Sequence, residues 1–192
     1  MSKKIILLSL SVLCASLIHP SWIFAATGPA SVYKVTIVKF ELYNGTSWIT
    51  LFDGASTTID IASVDAGQAA GNFFTGLNVP DGTYTQVRVT PSATFVVSGR
   101  VGTSYTTAAK ANGGCVPTTT AANEAPCSVD VPGGIGTPNP DILPATLTIT
   151  NGVPSHKIRV SFNVNNAIQD GGPFGELYPG TPTVTMSMIA LE

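Results

Sequence analysis

The chain predicts an all-β fold, an antiparallel Greek-key β-sandwich carrying one long disulfide-bearing insertion. Three observations lead there. Runs rich in Val, Ile, Thr, Phe and Tyr place apolar residues at every second position, as strands require. Turn chemistry punctuates those runs at Asn44-Gly45, Asp53-Gly54, Pro80-Asp81-Gly82 and Asn151-Gly152. The stretch from Leu77 to Thr90, L-N-V-P-D-G-T-Y-T-Q-V-R-V-T, joins both signals. There Gly82 supplies the conformational freedom of a reversal, and Tyr84, two residues on, has the placement of a tyrosine corner. In that motif the phenol bonds back to the backbone and locks a crossover between sheets.

The first 25 residues are read as a leader. Lys3 and Lys4 precede an apolar run from Ile5 to Ile18, and Ile23-Phe24-Ala25-Ala26 offers a small-residue cleavage site after Ala25. The run is too short to span a bilayer, which needs about 20 apolar residues, so no membrane span is expected once the leader is cleaved. Leu13 before Cys14 does not match a lipid-attachment site. The protein is therefore expected to be exported, to the periplasm, the cell surface or the medium.

Removing the leader from the 192-residue chain leaves about 167 residues, a length for one domain over 26–192 with a core of its own. Seven scattered cations then face eleven acids, and no basic patch exists to neutralise phosphates. Nucleic acid is not an expected partner.

In chain order, the first strand covers Ser31 to Tyr43. Its apolar face changes between Ile37 and Val38, as a β-bulge or a strand passing from one sheet to another produces. Asn44-Gly45-Thr46 is formally a glycosylation acceptor, but Asn-Gly is also the strongest short hairpin signal, and the turn is the reading adopted. Trp48 to Phe52 returns, Thr57 to Val64 forms the next strand, and a helical turn is expected between Val64 and Phe74. After the Leu77–Thr90 stretch, Thr94 to Val101 is a strand. From about 102 to 140 Thr, Ala, Gly and Pro dominate, and the stretch reads as a long loop insertion holding Cys115 and Cys127, with one short edge strand at Val129 to Val131. Ala145 to Thr150 and Ile158 to Val164 read as a hairpin with one buried and one wet face. A polar, glycine-rich connection from Asn165 to Gly180 leads to a last amphipathic strand, Thr183 to Leu191.

The residues Trp48-Ile49-Thr50-Leu51 and Gly82-x-Tyr84-Thr85-Gln86-Val87-Arg88 resemble an uncharacterised family of exported bacterial domains with a W-x-x-L hairpin and a G-x-Y-x-x-[IV]-R strand. Its architecture is similar to that of prealbumin-like and carboxypeptidase-regulatory-like sandwiches. The resemblance covers about residues 31 to 100. It implies a fold and an exported location, and it carries over no functional residue.

The chemistry-bearing residues point away from catalysis. Cys115 and Cys127 are expected to pair in an oxidising compartment, closing a loop of about 13 residues worth roughly 3 kcal/mol. With no histidine near, their spacing is not that of a zinc site. His156 is the single histidine past the leader and has no partner in sequence, and no Ser lies in G-x-S-x-G. Asp53, Asp60, Asp65 and Asp81 sit at turns, where Asp bonds its own backbone. Loop oxygens of that kind also suit a calcium ion, but no D-x-D-x-D-G run is present. No metal, cofactor or catalytic set is expected.

Two functions lead, with an enzyme third. The first is a structural or binding role, with self-association through the C-terminal strand or with a surface protein or glycan as partner. The second is a carbohydrate-binding module that stacks sugars on Tyr43, Tyr105 or Tyr178. Trp48 is assigned first to packing in its hairpin, and Tyr84 and Gly82 to architecture.

Overall fold

The computed structural model describes residues 26–65, 76–110, 113–131, 133–171 and 175–191. The expected leader and nearly all of the helical turn expected between Val64 and Phe74 lie outside the described residues. Within them the protein is all-β, with one short 3-10 turn at Ala121–Asn123 and no α-helix.

The strands run β1 (Thr27–Gly28), β2 (Ala30–Val35), β3 (Ile37–Tyr43), β4 (Trp48–Asp53) and β5 (Ile59–Asp60). There follow β6 (Gly82–Pro91), β7 (Thr94–Val101), β8 (Ser104–Ala109), β9 (Cys115–Thr118) and β10 (Cys127–Asp130). The last are β11 (Asp141–Thr150), β12 (Val153–Pro154), β13 (His156–Asn163), β14 (Ile168–Asp170), β15 (Leu177–Pro179) and β16 (Thr183–Ala190). They form a nine-stranded sheet in the order β1-β14-β15-β9-β8-β7-β2-β5, with β10 also on β7. A five-stranded sheet follows the order β12-β11-β6-β3-β4, and β13 pairs with β16 in a separate ribbon.

The change of apolar face in the first strand is a change of sheet. Ala30–Val35 pairs with β7 in the larger sheet, whereas Ile37–Tyr43 pairs with β4 and β6 in the smaller one, so the chain crosses at Thr36. The β6–β7 run makes the same crossing just after Pro91, and Ser92 N–H donates to the Thr36 carbonyl at 2.7 Å to tie the two crossings together. Each sheet consequently covers its own core. One is built around Tyr33, Ile61, Val97, Ile168 and Leu177, the other around Leu42, Tyr84, Val87 and Leu147.

Four expectations are corrected. The strand expected over Thr57–Val64 is only Ile59–Asp60, because the Asp60 carboxylate accepts the Tyr33 and Ala62 amides at 2.9 and 3.1 Å and turns the chain. The stretch 102–140 is not one loop. It supplies β8, β9 and β10 to the large sheet, and the Glu124 carboxylate fastens its 3-10 turn to Ser31 and, at 2.8 Å, to Ser98. The connection after Asn165 likewise contains β14 and β15. The expected hairpin between Ala145–Thr150 and Ile158–Val164 closes only at Ile149–Pro154 and Thr150–Val153. Ser155 ends it: its N–H donates to the Thr148 carbonyl at 2.8 Å and its Oγ accepts the Thr148 amide at 3.0 Å, after which β13 leaves to pair with β16.

Candidate functional site

The architectural residues meet at the turn before β6. Tyr84 is 2% exposed, and its hydroxyl donates to the Pro80 carbonyl at 2.8 Å, the bond a tyrosine corner makes. Burial, with the Asp81 charge second, raises its pKa. Asp81, expected to bond its own turn, reaches a different one. Its two carboxylate oxygens accept the Asn151 and Gly152 amides, each at 2.8 Å, and clamp the β11–β12 turn onto the β6 turn.

Tyr43 and Trp48 come together on the outward face of β4-β3-β6. They are cross-strand partners at the mouth of the β3–β4 hairpin, with ring centroids 5.2 Å apart. Asn44 shapes that turn: its Oδ1 accepts the Thr46 and Ser47 amides at 3.0 and 2.8 Å. One row further along, Glu41 lies between Thr50 on β4 and Arg88 on β6. Arg88 Nε donates to Glu41 Oε2 at 2.7 Å, Lys39 Nζ is 2.9 Å from Oε1, and the guanidinium carbon lies 4.3 Å from the Trp48 ring centre. The result is a layered cluster in which a buried carboxylate orients a cation that stacks on an aromatic face. The Arg88 hydrogen bond, aided by Lys39, holds Glu41 down to about 2 against the opposing effect of burial, and the same bond raises Arg88.

Behind this face is an apolar cleft of about 270 Å³ lined by Phe40, Leu42, Leu51, Val79, Leu147 and Ile158, with His156 among its lining residues. His156 Nδ1 is 2.8 Å from Ser155 Oγ, the same hydroxyl that accepts the Thr148 amide, so the contact belongs to the kink between β12 and β13. Among the described residues no group of three or more His, Cys, Asp or Glu is placed to hold a metal ion, and no helix is long and apolar enough to cross a membrane.

The other aromatic candidates lie on the large sheet. Tyr105 is half-buried on β8, opposite Arg100 and Thr118. The Tyr178 ring packs over Gly114 and Gly171, so closely that a Cβ at Gly171 would fall 1.9 Å from a ring carbon. The two glycines leave the ring room that any side chain would take. Near it, the Lys110 ammonium pairs with Glu176, a carboxylate side chain 1% exposed. Cys115 and Cys127 are bonded, with Cα atoms 5.9 Å apart, and join β9 to β10. The structure therefore gathers Tyr43 and Trp48 into one surface and leaves Tyr105 and Tyr178 elsewhere.

Glu41, Lys39 and Arg88 escaped the sequence reading because their partnership spans strands, 47 positions apart for Glu41 and Arg88. The available signal was their alternation out of phase with Leu42 and Val87. Tyr33, within the first expected strand, makes a second long-range bond: it is 3% exposed and donates to the Gly180 carbonyl at 2.8 Å, with burial raising its pKa to about 12. No protein-family model, curated protein or solved structure matches the chain.

Proposed function

We propose that this is an exported, non-enzymatic β-sandwich of Greek-key, prealbumin-like connectivity, with a structural role at the cell surface or in the periplasm. Its copies associate by exchanging the C-terminal strand. The β13–β16 ribbon carries this reading: β16 registers with β13 over eight residue pairs and with no other described strand. An exchanged β16 would therefore rebuild every ladder bond on a neighbour's β13, the condition under which swapping costs little. From Thr183 to Ala190 it also carries no charge and no proline, the residues that usually discourage strand pairing between chains. Met186 and Met188 would meet the same apolar core on the neighbour that they meet at home.

Arg159 and Ser187 are opposite one another in the ribbon, and both are exposed. Arg159→Cys combined with Ser187→Cys tests the exchange. Oxidation is expected to give covalently linked multimers on non-reducing gels, absent from either single variant. Monomers closed by an internal bond alone would reject the reading.

The adjacent Tyr43 and Trp48 rings favour a second reading, a glycan-binding face. Arg88 already lies over the Trp48 ring, so a sugar would stack on what the Tyr43–Trp48 pair leaves uncovered. Titration against a panel of polysaccharides decides it, and flat responses across the panel would remove it.

A further inference from the structure

We propose that Asn44 is a self-modification site, converted to aspartate or isoaspartate in the native protein while the second Asn-Gly pair, Asn151-Gly152, is spared. The two dipeptides share their chemistry but sit in opposite settings. In this reaction the Gly N attacks the Asn Cγ, and the side-chain nitrogen leaves as ammonia. Water then opens the resulting five-membered imide at either carbonyl, giving the aspartyl or the isoaspartyl product. The step needs a glycine nitrogen free to attack and benefits from donors at the oxygen that takes up negative charge.

Asn44-Gly45 meets both conditions. Asn44, Gly45, Thr46 and Ser47 are all exposed, and Gly45 N–H has no protein acceptor among the described residues. Asn44 Oδ1 already accepts the Thr46 and Ser47 amides at 3.0 and 2.8 Å, an arrangement of paired backbone donors that stabilises a developing oxyanion. The aspartate product inherits the same two donors, now as charge-assisted bonds to a carboxylate.

Asn151-Gly152 meets neither. Gly152 N–H, the required nucleophile, donates to Asp81 Oδ1 at 2.8 Å, and Asn151 N–H is held by the other oxygen. That bond must break before attack, which lowers the reactive population about tenfold or more. Among the described residues the Asn151 side chain makes no hydrogen bond that would compensate.

Peptide mapping by mass spectrometry, on native protein and on protein held in urea at mildly alkaline pH, tests the proposal. Native protein is expected to convert Asn44 about tenfold or more faster than Asn151, and the two rates should approach each other in urea, where Asp81 protects nothing. A native ratio near or below one overturns the proposal. Asp81→Ala, verified as folded by circular dichroism, should raise the native Asn151 rate toward that of Asn44. An unchanged Asn151 rate in a folded variant overturns the assignment of its protection to Asp81, whereas the urea comparison does not depend on how that variant folds.

Discussion

Replacing Glu41 by Gln keeps the shape of the outward cluster and removes its charge. Glu41 titrates at about 2, against an ordinary value of 4.5, chiefly because Arg88 donates to it. At about 1.4 kcal/mol per tenfold change in affinity for the proton, that gap corresponds to about 3 kcal/mol. The carboxylate is covered, but its partners reach water, Lys39 being 36% and Arg88 18% exposed. Solvent screening then leaves about 1–2 kcal/mol as the expected contribution. The sign follows from the depressed value: the stabilisation is fully present above the unfolded pKa and is lost as pH falls from about 4.5 toward 2. Urea unfolding monitored by circular dichroism, from neutrality down to about pH 2, reads this directly. The Gln variant should be less stable near neutrality and should converge on the parent at the acid end. Trp48 is the single tryptophan beyond the leader, so its native emission should also change once Arg88 loses the carboxylate that positions it. Curves separated by a constant amount down to the lowest pH, or coincident throughout, would refute the assignment.

Two further substitutions probe the scaffold. Replacing Cys115 and Cys127 together by Ala should cost about 3 kcal/mol, read as a lower urea midpoint, since the bond closes a 12-position separation between two buried cysteines. A loss indistinguishable from zero would mean that residual structure confines the unfolded chain as much without the bond as with it. Tyr33→Phe should cost more than Tyr84→Phe, about 1–3 against about 1 kcal/mol. Tyr33 donates to the buried Gly180 carbonyl, which is left dry, whereas the Pro80 carbonyl freed by the second change belongs to an exposed residue that water can reach. The reverse order in thermal or urea unfolding would contradict that reasoning.

Much of the chain's local organisation was legible in the sequence because local physics sets it. The period of two in Tyr33–Ile37 and Tyr84–Val89, the hairpin turn at Asn44-Gly45 and the corner at Tyr84 depend on residues within a few positions of one another. Even the passage of the first strand between sheets was visible, since the inward side must change where the sheet changes. Strand partnership was not. Nothing near Ile158 says that it faces Met188 rather than Ala145, its partner had the hairpin continued, and the departure turns on one serine that satisfies Thr148 on both sides and ends the hairpin. The 102–140 stretch misled for the same reason. Its Thr-, Ala- and Gly-rich composition lacks an apolar stripe, but strands need only a neighbour with free backbone groups, and β7 supplied one.

The candidate surface divides likewise. Tyr43 and Trp48 meet because the loop between them is four residues long, Asn44 to Ser47; a two-residue Asn44-Gly45 turn would have set Tyr43 opposite Thr46 instead. The buried Glu41 between Lys39 and Arg88, the Asp81 clamp on the Asn151 turn and the Tyr33 bond to Gly180 join residues far apart in the chain. The amino-acid sequence by itself determined an all-β chain, its main turns and its disulfide, because propensity, alternation and closing a short loop act locally. Only the tertiary structure decided which edges pair, which charges are buried and which asparagine keeps its neighbour's amide free, because those outcomes depend on backbone groups brought together from distant strands.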